Sequence, residues 1–187
     1  KEGANFDFPG HTEYLAHLDE NKNYAMMLVN KYLKVVPVTI HIPIKDITKY
    51  LNTELIEKTI KTTHQELNSR FSISNPNIWI SGLNPHAGEN GTIGDEEQKF
   101  IIPIIKKLQS EGYNLLGPLS ADTMFYGKKR PRFDAAICMY HDQALIPIKT
   151  LDFHSSVNLT IGLSFIRTSP DHGTAFDIAG KNLANPT

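Results

Sequence analysis

The sequence predicts an α/β fold, in which helices pack on a β-sheet. Short apolar runs typical of β-strands recur along the chain, and helical patterns lie between several of them. Strands that alternate with helices are typical of α/β layer structures. The predicted strands lie within residues 25–29, 33–44, 77–83, 134–140 and 157–161. Since domains commonly contain roughly 100 to 200 residues, the 187 residues are expected to form one domain, 1–187.

Two helices are predicted with clear starting points. The first begins near Thr53, where Asn52 or Thr53 can cap it, and its apolar side chains recur at spacings of three and four over residues 56–67. The second follows Gly94, with acidic residues at 95–97 in its first turn and lysines near its end. Both helices are expected to cover the sheet.

The composition argues against two classes of partner. Apolar residues make up 40% of the chain and charged residues 21%, a balance that favours a folded domain over disorder. Nineteen basic and twenty acidic residues give a net charge of −1, which provides no strong positive field for nucleic acid. No apolar stretch approaches the roughly 20 residues that cross a bilayer. We therefore expect no nucleic-acid partner and no membrane insertion.

The cysteine content indicates a reducing compartment. Cys138 is the single cysteine of the chain, so it cannot form an internal disulfide, and its apolar surroundings favour a buried, inert thiol. The start of the chain lacks the apolar core of a signal peptide. A cytoplasmic location is therefore expected. Because the chain does not begin with methionine, it is interpreted as part of a longer protein.

Three histidines follow strand-like runs. In the alternating segment 38–44, His41 is predicted to face away from the aliphatic side of its strand. His86 lies in the glycine-containing segment 82–91, and His141 follows the fourth predicted strand. Residues just past the carboxyl ends of strands surround the ligand crevice of open α/β sheets, so the three imidazoles could converge on one divalent metal. Each histidine also fits an ordinary loop or core position, and their spacing does not decide between the two.

Three polar residues with apolar neighbours form a second candidate group. Lys149, Asn158 and Arg167 would together suit a phosphate and a carboxylate, because lysine and arginine seldom enter such surroundings unless they are paired or bind a ligand. The alternative is that they extend to solvent or form structural ion pairs. Residues 10–13 offer hydrogen-bond donors after a Pro-Gly turn, or else they begin a helix that continues over 13–18.

Five ordered motifs resemble those of the 4-hydroxythreonine-4-phosphate dehydrogenase family of pyridoxal phosphate (vitamin B6) biosynthesis. They are GHTE at 10–13, GLNPHAGE at 82–89, GPLSADT at 117–123, YHDQ at 140–143, and NLTIGL at 158–163 with FIRTS at 165–169. The resemblance covers nearly the whole chain but leaves out the N-terminal region of the family and a short C-terminal tail. It implies a three-layer α/β/α fold of the isocitrate and isopropylmalate dehydrogenase type, with a central mixed sheet.

The resemblance also assigns roles to single residues. It implies that His41, His86 and His141 bind a divalent metal, with zinc, magnesium or cobalt as candidates. It implies substrate contacts for His11, Thr12, Lys149, Asn158 and Arg167. Asp122 and Asp142 match acidic positions of the motifs, and together with Lys149 they are interpreted as catalytic groups that transfer a proton or orient a metal ligand.

Residues 171–186 are similar to the adenosine-binding loop of isocitrate and isopropylmalate dehydrogenases, which binds NAD without a G-x-G-x-x-G motif. By that similarity His172 and Asn185 flank the adenine end of NAD, and NADP is the alternative cofactor. Phe176 departs from the pattern, since those relatives have proline at this position.

The reaction implied by the resemblance oxidises the C3 hydroxyl of 4-phosphooxy-L-threonine with NAD, and loss of carbon dioxide then gives 3-amino-2-oxopropyl phosphate. The family is homodimeric, and its sites at the subunit interface take metal ligands from both chains. Two alternatives stay open: a dehydrogenase of D-threonate or D-erythronate 4-phosphate, and a metal-dependent hydrolase that needs no NAD. A further alternative is that the chain alone is an inactive dimerising fragment.

Overall fold

The computed structural model describes residues 8, 11–20, 23–126, 133–171 and 175–184. The strands of this part of the chain are β1 Ala25–Val29, β2 Lys34–Pro37, β3 Ile78–Ser81, β4 Leu115–Leu119, β5 Ala135–Cys138, β6 Val157–Ile161 and β7 Arg167–Pro170. They form one sheet in the order β4-β3-β5-β2-β1-β6-β7.

The helices are α1 His11–Leu18, α2 Ile47–Tyr50, α3 Thr53–Ser69, α4 Ile102–Ser110, α5 Ala121–Met124 and α6 His141–Leu151. A π-helical turn, Glu97–Ile101, leads directly into α4. None of the helices within the described residues combines the length and apolarity that crossing a bilayer requires.

The sheet is mixed, as the resemblance implies. Strands β2, β5, β3 and β4 run parallel to one another, so their carboxyl ends lie at one edge of the sheet. On the other side of β2, the strands β1, β6 and β7 each run antiparallel to their neighbours. The parallel half therefore has an edge at which a ligand crevice can form, and the antiparallel half extends the sheet beside it.

Helices cover both faces of the sheet, which gives the three layers of the α/β/α fold. On one face α3 and α4 bury Ile60 and Leu108 against the sheet. On the other face α6 buries Ile148 in a second cluster. Neighbouring side chains of β1 alternate between the two layers, with Met27 in the first cluster and Leu28 in the second.

The start of α3 follows the predicted pattern. Asn52 has extended backbone angles and its side chain accepts a hydrogen bond from the Leu55 N–H at 2.8 Å, which satisfies one of the unpaired donors of the first turn. Ile56 and Leu67 are fully buried. Asn52, rather than Thr53, is therefore the cap of this helix.

The prediction of one strand over residues 33–44 is wrong. The strand β2 ends at Pro37, although the amides of Val38 and Thr39 still donate to the carbonyl oxygens of Cys138 and Met139, at 2.8 and 3.2 Å. The Ile42 N–H then donates to the Ile40 carbonyl oxygen in a tight turn. His41 consequently lies in a bent connection after β2 and not in a strand.

Candidate active site

The carboxyl ends of the parallel strands lead to four of the predicted site residues. His41 follows β2, His86 follows β3, Asp122 follows β4 and His141 follows β5. Because these strands are parallel and adjacent, the four connections leave the same edge of the sheet. In open α/β sheets this edge is where ligands bind.

Two of the three histidines face each other. The ring centroids of His41 and His141 are 5.7 Å apart, a separation that fits two imidazoles on one ion, since Zn–N bonds are about 2.0–2.1 Å long. His141 is the first residue of α6, and its Nδ1 lies 2.7 Å from Oδ1 of Asp142. A carboxylate at one ring nitrogen fixes the orientation of the imidazole and leaves the other nitrogen for a metal. The Asp142 carboxylate is thus placed to hold the His141 ring in one orientation.

His86 lies on an exposed turn at the same edge. Within the described ranges, no three His, Cys, Asp or Glu side chains come close enough to hold a single metal ion. The structure therefore brings together His41 and His141, and His86 does not complete a three-ligand group with them.

Gln143 connects the ends of β3 and β5. Its Oε1 accepts hydrogen bonds from the Ser81 hydroxyl and from the Met139 N–H, each at 2.7 Å. Its Nε2 donates to the Gly82 carbonyl oxygen at 2.9 Å. One side chain of α6 thereby fixes the starting points of the connections that carry His86 and His141.

The polar residues predicted to contact the substrate gather on the antiparallel half of the sheet. In the register of β6 and β7, Asn158 pairs with Ser169 and Thr160 pairs with Arg167, so these side chains share one face of the two strands. The adjacent residue of β1 on that face is Leu28, which belongs to the cluster under α6. This polar face therefore continues the α6 side of the sheet.

Helix α1 and the end of α6 contribute the remaining side chains. A terminal nitrogen of Arg167 donates to the hydroxyl of Thr160 at 3.1 Å and lies 3.4 Å from the hydroxyl of Thr12. The Lys149 ammonium donates to the Asp171 carbonyl oxygen at 2.9 Å and lies 3.3 Å from its Oδ1. One surface is thus bordered by the cations of Lys149 and Arg167, the hydroxyl of Thr12 and the amide of Asn158.

Two buried acceptors of this surface have no donor within the described residues. They are Oδ1 of Asn158 and Oδ2 of Asp171. An unpaired buried acceptor costs free energy, so both atoms are candidates for contact with a ligand. Asp171 begins the segment 171–186 that resembles an adenosine-binding loop, but it was not predicted to contact the substrate.

Three predicted residues lie outside what the structure describes. His172 and Asn185, the predicted NAD contacts, are not among the described residues, and the side chain of His11 is likewise not described, although its backbone begins α1. Asp122 is exposed and its Oδ1 accepts the Ser120 hydroxyl at 2.6 Å. The helix alternative for the segment after Gly10 is confirmed by α1.

Comparison with known proteins shows the family to which this chain belongs. The family model described as "Pyridoxal phosphate biosynthetic protein PdxA" matches residues 2–187. The chain belongs to the PdxA family. The 4-hydroxythreonine-4-phosphate dehydrogenase of Roseobacter denitrificans is 58% identical over 187 residues, which cover 100% of this chain and 57% of that protein. The chain thus spans somewhat more than half the length of its PdxA relatives.

Solved structures agree with this family. The 4-hydroxythreonine-4-phosphate dehydrogenase of Klebsiella pneumoniae superposes with a TM-score of 0.85 at 44% identity, covering 95% of this chain and 53% of that one. A terephthalate 1,2-cis-dihydrodiol dehydrogenase of Burkholderia xenovorans superposes with a TM-score of 0.78 at 32% identity, covering 95% and 57%. The PdxA fold predicted from the motifs is therefore confirmed, and its relatives are dehydrogenases.

Proposed function

We propose that the whole protein oxidises the C3 hydroxyl of 4-phosphooxy-L-threonine with NAD and releases carbon dioxide, giving 3-amino-2-oxopropyl phosphate for pyridoxal phosphate biosynthesis. The observation that carries this proposal is the pairing of His41 and His141, 5.7 Å apart, at the sheet edge next to a surface with two cations. A metal site beside an anion-binding surface fits a phosphorylated hydroxy acid. The cytoplasm, where such biosynthesis takes place, is the proposed location.

The metal would be held by His41, His141 and His86, and zinc, magnesium and cobalt are the candidates. Neutral imidazoles suit zinc or a similar ion. When bound, the ion lowers the pKa of the substrate hydroxyl and stabilises the negative charge that develops on the same oxygen during decarboxylation. Oδ1 of Asp142 lies 2.7 Å from Nδ1 of His141, a contact that would leave the other ring nitrogen available to hold the ion.

The chain's own side chains bind and orient the substrate. Lys149 and Arg167 supply positive charge for the phosphate and the carboxylate, because charge-assisted hydrogen bonds are the stronger ones. Thr12, His11 and Asn158 supply hydrogen bonds. Fixing the remote phosphate orients the reacting carbon.

Asp122 is proposed as the group that transfers the proton, together with Asp142 and Lys149. It is exposed at the end of β4, at the same edge of the sheet as the histidines. This position makes its carboxylate accessible to a substrate that lies over the edge.

The site is proposed to be completed in a homodimer. The described residues of one chain do not hold three metal ligands together, and two chains could supply them jointly. An apolar groove lies directly beside Asp122 and Asp142, and its lining includes Phe125, Tyr126 and Ile146. Tyr126 is 82% exposed and Ile146 is 64% exposed, so a second copy of the chain would cover large apolar side chains there.

NAD is proposed to bind at the segment that contains His172 and Asn185, with NADP as the alternative. Phe176, within the same segment, is 82% exposed. An exposed aromatic ring next to the proposed adenosine site could pack against the cofactor, although relatives of the isocitrate dehydrogenase type have proline there.

The proposal is tested by NADH absorbance with the full-length protein, a divalent metal, and either 4-phosphooxy-L-threonine or D-threonate 4-phosphate. Turnover of the threonine derivative alone supports the proposed pathway. Preference for the threonate keeps the sites and the chemistry but assigns another substrate. Metal binding without reduction of NAD by either compound contradicts the dehydrogenase and favours a hydrolase.

The second candidate, a dehydrogenase of another substrate, is favoured by one specific observation. The protein of Burkholderia xenovorans that superposes on this chain is named a terephthalate 1,2-cis-dihydrodiol dehydrogenase. The name of that substrate includes no phosphate, unlike 4-phosphooxy-L-threonine. The substrate itself separates the two candidates: NADH absorbance is followed with 4-phosphooxy-L-threonine and, separately, with terephthalate 1,2-cis-dihydrodiol, the compound named for that relative. Turnover of the dihydrodiol alone would support the second candidate, and turnover of the threonine derivative alone would contradict it.

A further inference from the structure

The turn that carries His86 has an unusual backbone. Five consecutive residues, from His86 to Asn90, have left-handed φ angles of 53°, 52°, 77°, 42° and 57°. Only Gly88 among them lacks a Cβ, so the other four adopt a conformation that is unfavourable for L-residues. Such strain persists only when the surrounding structure imposes it, and it concentrates at functional sites.

A buried carboxylate lies against this turn. Glu97 is 1% exposed. Its Oε1 accepts hydrogen bonds from the Leu83 and Asn84 N–H groups, each at 2.7 Å, and its Oε2 accepts one from Nδ2 of Asn84 at 2.9 Å. None of the ion pairs found among the described residues involves Glu97. The buried charge is therefore balanced by donors of the same loop and not by a cation.

The loop backbone closes tightly around Glu97. A Cβ added at Gly88 would lie 2.5 Å from Oε2 of Glu97, and one added at Gly82 would lie 3.0 Å from Oε1. At Gly94 an added Cβ would collide with the side chain of Asn84. The glycines permit a close approach of the backbone to the carboxylate and to the asparagine that it binds.

The helix at Glu97 is irregular as well. Glu97 is the first residue of the π-helical turn Glu97–Ile101, which precedes α4. Single π turns are rare and occur frequently at functional sites. From the sequence, Glu97 is an ordinary acidic residue of a first helical turn. Its burial shows that it has a more specific role than to stabilise the helix dipole.

We propose that Glu97 is a positioning residue for His86: its buried carboxylate is the fixed anion around which the loop 82–94 folds, and it thereby sets the direction of the His86 imidazole. This inference rests on the proposed function in which His86 is a metal ligand. The carboxylate holds the N–H groups of Leu83 and Asn84, which closely precede the left-handed turn. Loss of its charge would relax the turn and displace the imidazole from the metal.

The test compares Glu97→Gln with Glu96→Gln in the full-length protein. The Glu97→Gln change keeps the shape of the side chain but not the charge. Glu96 is the matched control, because its Oε2 also accepts a hydrogen bond from Nδ2 of Asn84, at 2.7 Å. The difference between the two carboxylates is that the backbone N–H groups of Leu83 and Asn84 donate to Glu97. The readouts are the affinity for Co²⁺ by titration, the visible spectrum of the bound Co²⁺, and the melting temperature.

We expect Glu97→Gln to weaken Co²⁺ binding by about 10- to 100-fold, the range typical for residues that orient metal ligands, and to change the Co²⁺ spectrum. Glu96→Gln should bind Co²⁺ like the wild type. A folded Glu97→Gln protein with wild-type affinity and spectrum overturns the inference. If Glu97→Gln does not fold, Glu97→Asp takes its place. The aspartate keeps the charge but is too short to hold the N–H groups of Leu83 and Asn84 where they are. Unchanged Co²⁺ affinity and spectrum in Glu97→Asp also overturn the inference.

His86→Ala separates this inference from the proposed function. If His86→Ala binds Co²⁺ as tightly as the wild type, the proposed ligand set is wrong. If His86→Ala loses Co²⁺ while folded Glu97→Gln retains it, the ligand set stands and the role of Glu97 is wrong.

Discussion

The ammonium of Lys149 lies 2.9 Å from the carbonyl oxygen of Asp171 and 3.3 Å from its Oδ1. The contact joins the last turn of α6 to the residue that follows β7, and the two side chains are 28% and 11% exposed. An ammonium has three N–H donors, so Lys149 can keep both contacts and still bind an anionic group. The ion-pair alternative for Lys149 is thus correct, and it does not exclude the proposed role in substrate binding.

Lys149→Met should raise KM for 4-phosphooxy-L-threonine by at least about tenfold, because hydrogen bonds between charged groups contribute about 1.5–3 kcal/mol. The methionine keeps the apolar part of the side chain but leaves the Asp171 carboxylate, which is 11% exposed, without its cation, so the melting temperature should fall as well. Steady-state kinetics and thermal unfolding of the full-length protein measure both effects.

Asp171→Asn provides the control for that variant. The asparagine keeps the backbone carbonyl that Lys149 contacts but removes the negative charge. If the pair has only a structural role, both variants lower the melting temperature by similar amounts and leave KM unchanged. That outcome would contradict a role of Lys149 in binding the substrate.

Asn52→Ala should destabilise the start of α3 by about 1 kcal/mol, the usual effect of losing a helix cap. The hydrogen bond from the Leu55 N–H to Asn52 is lost in this variant, whereas Asn52→Asp retains an acceptor. Hydrogen exchange of the peptide that covers residues 53–69 should therefore be faster in Asn52→Ala only. Equal exchange in the two variants would show that the cap does not stabilise this helix.

Cys138 should be unreactive in the native protein. Burial raises the pKa of its thiol to about 12, so the reactive thiolate is scarce at neutral pH, and the residue is fully buried. The test is alkylation by iodoacetamide at pH about 8, near the pKa of a free thiol. Mass spectrometry of the peptide that contains Cys138 should show modification only after denaturation. Labelling of the native protein at a rate typical of exposed thiols would refute the burial of this strand.

The regular parts of the fold were predictable because local patterns determine them. The apolar runs of β1 and β6 coincide with the observed strands, and the capping pattern at Asn52 marks the start of α3. In contrast, β7 has no apolar pattern, since its inward side chains, among them Arg167 and Ser169, belong to a polar surface. Sequence patterns that rely on apolar burial cannot detect such a strand.

The site was predictable in part for a similar reason. Histidines after strands indicate the ligand-binding edge, and the observed positions of His41 and His141 agree with that expectation. The bent connection after β2 is joined to Met139 by the hydroxyl of Thr39, a contact between residues distant in sequence that local patterns cannot reveal. The buried state of Glu97 likewise depends on how the loop that precedes it folds back, because acidic residues of first helical turns are usually exposed.

Gln143→Leu tests how the connections that carry His86 and His141, two of the proposed metal ligands, are held together. Leucine fills a similar volume but leaves the Ser81 hydroxyl, the Met139 N–H and the Gly82 carbonyl oxygen without their bonds to this side chain. Ser81 and Met139 are fully buried, and each unsatisfied buried group costs about 1–3 kcal/mol. The melting temperature should therefore fall clearly, and Co²⁺ affinity should fall with it because His86 and His141 are no longer fixed.

Ser81→Ala is the matched control for Gln143→Leu. It removes one of the three hydrogen bonds and leaves Gln143 bonded to Met139 and Gly82, so its loss of stability should be the smaller one, about 1 kcal/mol, and Co²⁺ affinity should stay near the wild-type value. Thermal unfolding and Co²⁺ titration of the full-length protein distinguish the two variants. Equal effects of both would mean that the connections are held by the strand ladders of β3 and β5, and that Gln143 only fills space between them.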